Sequence, residues 1–327
     1  MTRPRRAGVG LLLVVATVSC RGPASDGTRR EPAFTVIVLG AGGGPSEDDL
    51  SSYLLARRGE SSFVGLDAGT LGTGIRRAAA SFPGIDAGAV LRDHVKAFLI
   101  SHAHLDHIAG LVIDSPEAGD KLVLGLPSVI DVLRSDVFNW RVWPNFGDAG
   151  DRPLGRYRYV LLEPSRERPI PGTGLAVEAF ALSHGGVEST AFLIRSATDY
   201  VLYLGDTGPD DVEGTDLLLR LWTRVAPLVR EGRLRAIFME ASYPSERPDD
   251  ALFGHMTPAW LMVELGRLRD LVDDDRAMAA LTVVATHIKP SFEPGASPRE
   301  TILAELAAEN TLGATILVPR QGDRIEL

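Results

Sequence analysis

The chain has 327 residues, of which 45% are hydrophobic, so it can bury a sizeable core as one large domain or two small ones. Its 34 Lys and Arg residues are outnumbered by 43 Asp and Glu residues, which gives a net charge of −9. Because phosphate contacts dominate the affinity of proteins for nucleic acids, this acidic balance makes RNA or DNA a poor partner.

The first twenty residues differ in composition from the rest of the chain. Three arginines (Arg3, Arg5 and Arg6) precede an apolar stretch over residues 9–18, which is too short to span a bilayer stably and is typical of a secretory signal. Removing residues 1–20 takes away these three arginines and no acids, so the net charge changes from −9 to −12.

Cys20 is the only cysteine, which excludes an intramolecular disulfide. It directly follows the apolar stretch, in an arrangement that resembles a bacterial lipoprotein cleavage site, although Thr17 stands where leucine is usual. The alternative is an ordinary signal peptide with an incidental cysteine. We predict a signal peptide over residues 1–20, a flexible linker over 21–33 and a domain over 34–327. The protein would then be exported in a bacterium, either periplasmic or anchored to the outer membrane by its lipid.

Apolar, β-branched runs predict strands along the rest of the chain, and amphipathic patterns predict helices between them. Two groups of strands with outer helices suggest a sandwich of two sheets flanked by helices, although periodicity alone permits other α/β layouts. Residues 135–172, rich in Arg, Trp and Pro, are predicted to be an insertion over the site. Strands are predicted at 34–39, 53–56, 63–66, 95–100, 122–124, 175–180, 191–194, 201–204, 236–239, 281–285 and 315–318, and helices at 128–137, 216–230, 257–271 and 298–310.

Four metal-binding side chains follow the strand predicted at 95–100: His102, His104, Asp106 and His107. The helical pattern that begins at residue 108 places them on a strand-to-helix loop, open to solvent. Because this spacing does not let all four face one ion, it favours two adjacent metal sites. His102 and His104 would belong to one site, and Asp106 and His107 to the other.

Three more candidate ligands follow predicted strands, with glycine, threonine or proline close by: His184, Asp206 and His287. Strand ends of this kind are where α/β proteins build their sites, although each residue alone is also compatible with a structural role. Imidazole and carboxylate ligands suit zinc best, with manganese or iron as alternatives.

Other polar residues are candidates for supporting roles. Asp67 ends a predicted strand and would orient a ligand histidine, or else form a turn. His255 lies near a predicted helix N-terminus, where it would donate a proton or contact a phosphate, or else be a capped surface residue. Glu240 would hold the His255 imidazole, or else be a solvated loop acid. The run Gly42–Gly44 lacks the Gly-Lys-Ser/Thr of a phosphate loop, so a tight turn near the metals is predicted.

Aromatic residues in the segment 135–172 are candidates for contacting an organic substrate. Trp140, Trp143 and Phe146 would stack on a purine base, or else pack in the core, and Asn145 lies among them.

The pattern His-x-His-x-Asp-His at residues 102–107 resembles the metallo-β-lactamase superfamily. The longer stretch 102–116 is similar to the signature of the class II cyclic-nucleotide phosphodiesterases, and the resemblance covers roughly residues 34–320. The blocks that carry it further are 39–45, 66–70, 143–146, 182–185, 205–210, 252–255 and 286–290.

This resemblance implies an αββα sandwich of two mixed β-sheets flanked by helices for the catalytic domain over 34–327. It also implies that His184 completes the first metal site, that His287 completes the second, and that Asp206 bridges them. Two divalent ions, expected to be zinc, would generate a bridging hydroxide that opens a 3′,5′-cyclic nucleotide, expected to be cAMP, to its 5′-monophosphate. Asp106, Glu240 and His255 would be the catalytic residues.

Three other functions remain open at this point. They are a β-lactam hydrolase, an RNA-processing nuclease that shares the Glu240 and His255 pair, and a non-catalytic binding protein on the same fold. The expected partner is a small cyclic nucleotide and no nucleic acid polymer, with membrane contact only through the lipid anchor. The oligomeric state is left open, with a homodimer as one option.

Overall fold

The structure is a computed structural model that describes residues 31–295 and 297–327. The predicted signal peptide, Cys20 and most of the predicted linker therefore lie outside the described residues. Within the described part, none of the helices has both the length and the apolar character needed to cross a membrane.

Pro32–Leu327 forms one compact unit that contains all the described strands and helices. The strands are β1 (Phe34–Gly40), β2 (Ser52–Arg57), β3 (Phe63–Leu66), β4 (Val95–Leu99), β5 (Lys121–Gly125), β6 (Tyr157–Leu161), β7 (Arg168–Ile170), β8 (Leu175–His184), β9 (Val187–Ser196), β10 (Asp199–Leu204), β11 (Leu234–Glu240), β12 (Thr282–Thr286), β13 (Thr315–Leu317) and β14 (Arg324–Glu326). The helices are α1 (Gly72–Arg77), α2 (Ala87–Ala89), α3 (Leu105–Ile113), α4 (Pro127–Val132), α5 (Asp210–Glu213), α6 (Leu217–Arg230), α7 (Pro258–Val272), α8 (Asp275–Ala279) and α9 (Pro298–Glu309). Short π-helical turns extend α2 over Val90–His94 and α4 over Leu133–Val137, and 3₁₀ turns lie at Ala79–Ser81 and Asp249–Ala251.

The strands form two seven-stranded mixed sheets, and both sheets follow the same plan. The first has the order β14-β1-β2-β3-β4-β5-β6, with antiparallel pairs from β14 to β3 and parallel pairs from β3 to β6. The second has the order β13-β12-β11-β10-β9-β8-β7, with parallel pairs from β13 to β10 and antiparallel pairs from β10 to β7.

Successive side chains along the strands of the second sheet point to opposite faces, and each face contributes to a different apolar layer. In β10, Val201 and Tyr203 belong to the core shared with the first sheet, whereas Leu202 and Leu204 belong to a second core beneath the helices. This period of two is what a sheet covered on both faces requires. The largest side chain of the second core is Trp222 of α6, and burial of a large apolar side chain contributes roughly 1.5–3 kcal/mol.

The predicted sandwich of two mixed sheets flanked by helices is confirmed, and each predicted strand and helix overlaps an observed one. The prediction of an insertion over residues 135–172 is wrong. That segment supplies β6 to one edge of the first sheet and β7 to one edge of the second. Helix α3 also begins at Leu105, earlier than predicted, so Asp106 and His107 lie in its first turn rather than in a loop.

Candidate active site

The predicted ligands lie together at the carboxyl ends of strands from both sheets. His102 and His104 follow β4, and α3 begins directly after them. The second sheet contributes His184 as the last residue of β8, together with Asp206 and His287, which follow β10 and β12. Because the strands of each group run in the same direction, their ends meet at one edge of the sandwich.

One group of possible ligands consists of His102, His104 and His184, whose ligand atoms lie within 4.8 Å of one another. The Nε2 atom of His184 is 3.2 Å from the Nδ1 atom of His104. The Nε2 atom of His102 is buried and has no hydrogen-bond partner among the described residues. A buried polar nitrogen without a partner is costly unless something else binds it.

The second group consists of Asp106, His107, Asp206 and His287, again within 4.8 Å. The Nε2 atoms of His107 and His287 are 3.1 Å apart, and the Nε2 atom of His287 is 3.2 Å from Asp106 Oδ2. Ligands at about 2.0–2.1 Å from a tetrahedral zinc ion would be separated by about 3.3 Å, so both groups have a spacing that fits a metal.

One oxygen of Asp206 lies between the two groups. Its Oδ2 atom is 3.2 Å from His107 Nε2 and 3.1 Å from His287 Nε2 in the second group. The same atom is 3.9 Å from the Nε2 atoms of His102 and His184 in the first group. Asp206 is therefore the one carboxylate that both groups share among the described residues.

Burial lowers the pKa of the first group's buried histidines, whereas in the second group it acts to lower the pKa of His107 but Asp206 and Asp67 outweigh it and raise that pKa well above its usual range. Burial and the neighbouring His107 hold the pKa of His102 well below its usual range, and burial also lowers the pKa of His184. Burial alone would raise the pKa of Asp206, but His107 and His287 outweigh it and hold that pKa well below its usual range. Neutral imidazole and ionised carboxylate are the forms that bind metals.

The other ring nitrogen of each buried histidine is already held by the protein. Hydrogen bonds from neighbouring groups fix the ring and leave the Nε2 atom directed toward Asp206. The Nδ1 partners are Ser101 Oγ for His102 at 3.1 Å, Asp67 Oδ2 for His107 at 2.7 Å, the Gly254 carbonyl for His184 at 2.7 Å and Ser242 Oγ for His287 at 2.9 Å.

Asp67 has the position predicted for it, against the distal nitrogen of a candidate ligand. Besides His107, its carboxylate accepts hydrogen bonds from the Ser101 amide at 2.7 Å and from the Tyr203 hydroxyl at 2.6 Å. The residue is fully buried and has a positive φ of 53°. Its backbone therefore sits in a region that aspartate tolerates better than most residues do.

Glu240 and His255 also contact each other. The Nδ1 atom of His255 is 3.1 Å from both oxygens of Glu240, and both residues are buried. Burial acts to lower the pKa of His255, but the Glu240 carboxylate outweighs it and raises that pKa. On its other side, the Nε2 atom of His255 is 2.7 Å from Lys289 Nζ. His255 precedes Thr257, the N-cap of α7, by two residues, so it is near the helix terminus but not in it.

The glycine run forms a tight turn against the second group. A side chain on Gly43 would begin 2.2 Å from the His287 ring, so only glycine fits there. The amide of Gly44 donates a hydrogen bond of 2.8 Å to Asp106 Oδ2.

The aromatic residues predicted to bind substrate are not brought to this site. Trp143 Nε1 donates to Ser115 Oγ, beyond the end of α3 that lies opposite Asp106. That nine-residue helix spans about 13 Å. Phe146 packs against the inner core, and buried Asn145 uses its side-chain amide within its own loop, on the Ala149 and Asp151 carbonyls and the Gly147 amide. Trp143 and Phe146 therefore make the contacts that the packing alternative expects, and a role of these residues in substrate binding stays a prediction.

Several residues at the site were missed by the sequence interpretation. Tyr203 lies two positions after Val201 on β10 and therefore faces the same core, but nothing in the pattern indicated the contact with Asp67. Ser242 and Lys289 follow Glu240 and His287 by two residues, a spacing that directs side chains to the same face of an extended chain. That periodicity was the available signal.

Solved structures with a similar fold place the sandwich in a known class. The metallo-β-lactamase fold protein YhfI from Bacillus subtilis matches with a TM-score of 0.58 at 16% identity, over 91% of this chain and 100% of that one. Unliganded yeast PDE1 matches with a TM-score of 0.80 at 25% identity, over 90% of this chain and 100% of that one. The fold is therefore that of the metallo-β-lactamases.

Sequence comparison identifies the family within this class. Residues 80–322 match the family model described as cAMP phosphodiesterases class-II. The probable 3′,5′-cyclic-nucleotide phosphodiesterase of Yersinia pestis is 40% identical over 303 residues, which are 89% of this chain and 88% of that protein. The chain belongs to the class II cyclic-nucleotide phosphodiesterases, a family of phosphoric diester hydrolases. This confirms the resemblance seen in the motifs.

Proposed function

We propose that the protein hydrolyses 3′,5′-cyclic nucleotides, cAMP in particular, to nucleoside 5′-monophosphates with the help of two divalent metal ions. The observation that carries the proposal is the Oδ2 atom of Asp206, which lies between two groups of converging histidines. Family membership supports the substrate class, and the description of the matching family model supports cAMP.

The chain offers a complete set of ligands for two ions. One ion would be held by His102, His104 and His184. The other would be held by Asp106, His107 and His287, and Asp206 would contact both ions. Nitrogen and carboxylate donors without thiolates favour zinc. Bound there, the ions would lower the pKa of an attacking water and neutralise the charge of the phosphodiester.

The surrounding residues hold these ligands in one orientation. Asp67 and Ser242 fix the Nδ1 atoms of His107 and His287, so the Nε2 atoms keep their direction toward Asp206. Each ring is thereby set before the substrate arrives, and less reorganisation is needed during the reaction.

The departing 3′ oxygen needs a proton or a positive charge beside it. Glu240 occupies the Nδ1 atom of His255, which leaves the Nε2 atom to give a proton to that oxygen. Lys289 Nζ is 2.7 Å from the same nitrogen, so its positive charge also lies close to an oxygen that contacts Nε2. We assign His255 as the proton donor and Glu240 as the group that orients it.

The test of this function is a substrate panel with the purified protein. The protein would be assayed on cAMP, cGMP, nitrocefin and a structured RNA, each with zinc, with manganese and after treatment with a chelator. Bound metal would be measured by elemental analysis. We expect turnover of the cyclic nucleotides, fastest with cAMP, close to two ions per chain, and loss of activity with the chelator that added metal reverses. Absence of metal combined with activity that resists the chelator would contradict the mechanism. Hydrolysis of nitrocefin or RNA alone would contradict the substrate.

A further inference from the structure

The segment between β11 and α7 places an aromatic and cationic cluster next to His255. It consists of Tyr243, Arg247 and Phe253, none of which has a role in the proposed chemistry. The ring of Tyr243 lies edge-on to the His255 ring, with centroids 5.7 Å apart. The Arg247 guanidinium lies over the Tyr243 ring at 3.9 Å and faces the Phe253 ring at 5.7 Å.

Phe253 is the outermost member of this cluster, and it is held in an unusual conformation. Its φ is 53°, a region that bulky residues rarely adopt, and its side chain is 67% exposed. Strained backbone of this kind is concentrated at functional sites, where the surrounding structure enforces it. The hydrophobic effect alone would not hold a phenylalanine ring in water.

The position of Phe253 is tied to the candidate metal ligands. The next residue, Gly254, accepts the hydrogen bond from His184 Nδ1 at 2.7 Å. A side chain on Gly254 would begin 2.1 Å from the Gly185 amide nitrogen, so this turn is pressed against the end of β8. The exposed ring therefore stands at a fixed place relative to His184 and His255.

The Arg247 guanidinium also forms no ion pair with a carboxylate of the described residues. Its Nε atom donates to the Ala251 carbonyl at 2.6 Å, which closes the turn, and no acidic group of the described residues is within ion-pair distance. A guanidinium between two aromatic rings makes a flat, polarisable surface, on which planar heterocycles stack favourably.

We propose that Tyr243, Arg247 and Phe253 form the binding surface for the base of the cyclic nucleotide, with Phe253 as the residue that stacks on it. This assignment rests on the proposed function, because the phosphate must lie at Asp206 and His255 for the base to reach the cluster. From His255 outward, Tyr243, Arg247 and Phe253 follow one another toward solvent. A nucleotide bound by its phosphate at the inner end extends its base along the same direction.

The experiment compares substrates that carry a base with one that does not. In the metal-loaded protein, Phe253→Ala should raise the KM for cAMP by about tenfold, the effect of losing one stacked base. Turnover of a ribose 3′,5′-cyclic phosphate that lacks the base, a phosphodiester without any aromatic ring, should remain as in the wild type. Phe253→Tyr should restore the KM, whereas Phe253→Leu should restore it only in part. In calorimetry, Phe253→Ala should weaken binding of adenosine 5′-monophosphate and leave ribose 5-phosphate unchanged.

Trp140 provides a matched control elsewhere in the molecule. It also has a positive φ, 65°, is 39% exposed, and carries the Arg152 guanidinium over its ring at 4.8 Å. Trp140→Ala should leave the KM for cAMP unchanged. An unchanged KM in Phe253→Ala, equal losses on both phosphodiesters, or a larger effect of Trp140→Ala would each overturn the assignment. If the wild type fails to hydrolyse cyclic nucleotides at all, the proposed function is at fault instead.

Discussion

Each buried histidine among the candidate ligands has one ring nitrogen fixed by the protein and the other free to bind. For His107 and His184, the partner of Nδ1 is a carboxylate or a carbonyl, which can only accept a hydrogen bond. The proton of the neutral imidazole must therefore be on Nδ1, and the lone pair must be on Nε2. The acceptor that faces Nδ1 decides in this way which tautomer each of these two rings adopts when it is neutral.

His255 is held in the same manner by Glu240, yet it stands outside both metal groups in our assignment. If it protonates the 3′ oxygen, His255→Ala should lower kcat with cAMP by about 10²–10⁴. Bis-p-nitrophenyl phosphate has a leaving group that needs little protonation, so its turnover should fall much less. Metal content, measured by elemental analysis, should not change.

A different pattern in this variant would reassign the residue. Equal losses on the two substrates would make His255 a phosphate-binding or structural residue, and loss of metal would make it a ligand. Glu240→Gln provides a companion variant, because it keeps the shape of the hydrogen-bond partner and removes its charge.

The candidate metal ligands after β4 were recognisable from the sequence because their chemistry is local. His102, His104, Asp106 and His107 stand within six positions, and few other functions need such a set. Residues that bind the base could not be identified from the sequence, because an aromatic side chain fits a core as well as a ligand site. Trp143 and Phe253 look alike in sequence, and only the fold shows which of them is exposed near His255.

At the scale of secondary structure, the patterns located the central strands and missed the outer ones. Strands such as β4 and β10 are buried on both faces and read as continuous apolar runs. The missed strands β6, β7 and β14 each carry charged residues and lie at the edge of a sheet, and β7 and β14 are only three residues long. Short length and charged residues keep an edge strand from pairing with other molecules. Because of these same features, edge strands lack the apolar pattern that predicts a strand.

Lys121, the first residue of β5, links this strand to the helical turn before β4. Its buried ammonium donates to the Arg92 carbonyl at 2.8 Å. Burial, helped by the neighbouring Lys96, lowers the pKa of Lys121 from 10.5 to about 8. Between pH 8 and pH 10.5, the unfolded chain keeps a proton that the folded protein has lost, so this group makes the protein more stable as pH rises.

Lys121→Met removes that dependence. The free energy of unfolding of the wild type, relative to the variant, should stay constant below pH 8 and increase between pH 8 and pH 10.5. Urea unfolding followed by circular dichroism at a series of pH values measures this difference. Arg158→Met is the matched control, since Arg158 pairs with Leu122 on the next strand and its guanidinium does not titrate in this range. A difference that is flat for both variants would contradict the prediction.

At the scale of the whole molecule, neither sheet contains a complete site. The first sheet and α3 supply His102, His104, Asp106 and His107, and the second sheet supplies His184, Asp206 and His287. An ion bound between these groups would connect the two halves of the sandwich. Metal that binds only the folded state also stabilises it.

The location of the molecule in the cell is a separate proposal that depends on the N-terminal sequence. We expect the chain to be exported and anchored by a lipid on Cys20. Cys20→Ser should abolish incorporation of labelled fatty acid and release the protein from the membrane fraction. Thr17→Leu, which makes the sequence more typical of a lipoprotein, should keep both properties. If the unaltered protein never takes up the label, the anchor is wrong, and export can be tested separately by fractionation.

The pairing of β1 with β14 joins parts of the chain that are far apart in sequence, since Thr35 lies opposite Glu326. The whole second sheet lies between β6 and β14 in the sequence, so the pairing of β14 with β1 closes a loop that contains the second sheet. During refolding, β1 therefore remains an open edge until late, and contacts at such long range form slowly. An open strand that is apolar apart from Thr35 pairs readily with another molecule. The concentration at which the protein is refolded thus decides how much of it reaches the native state.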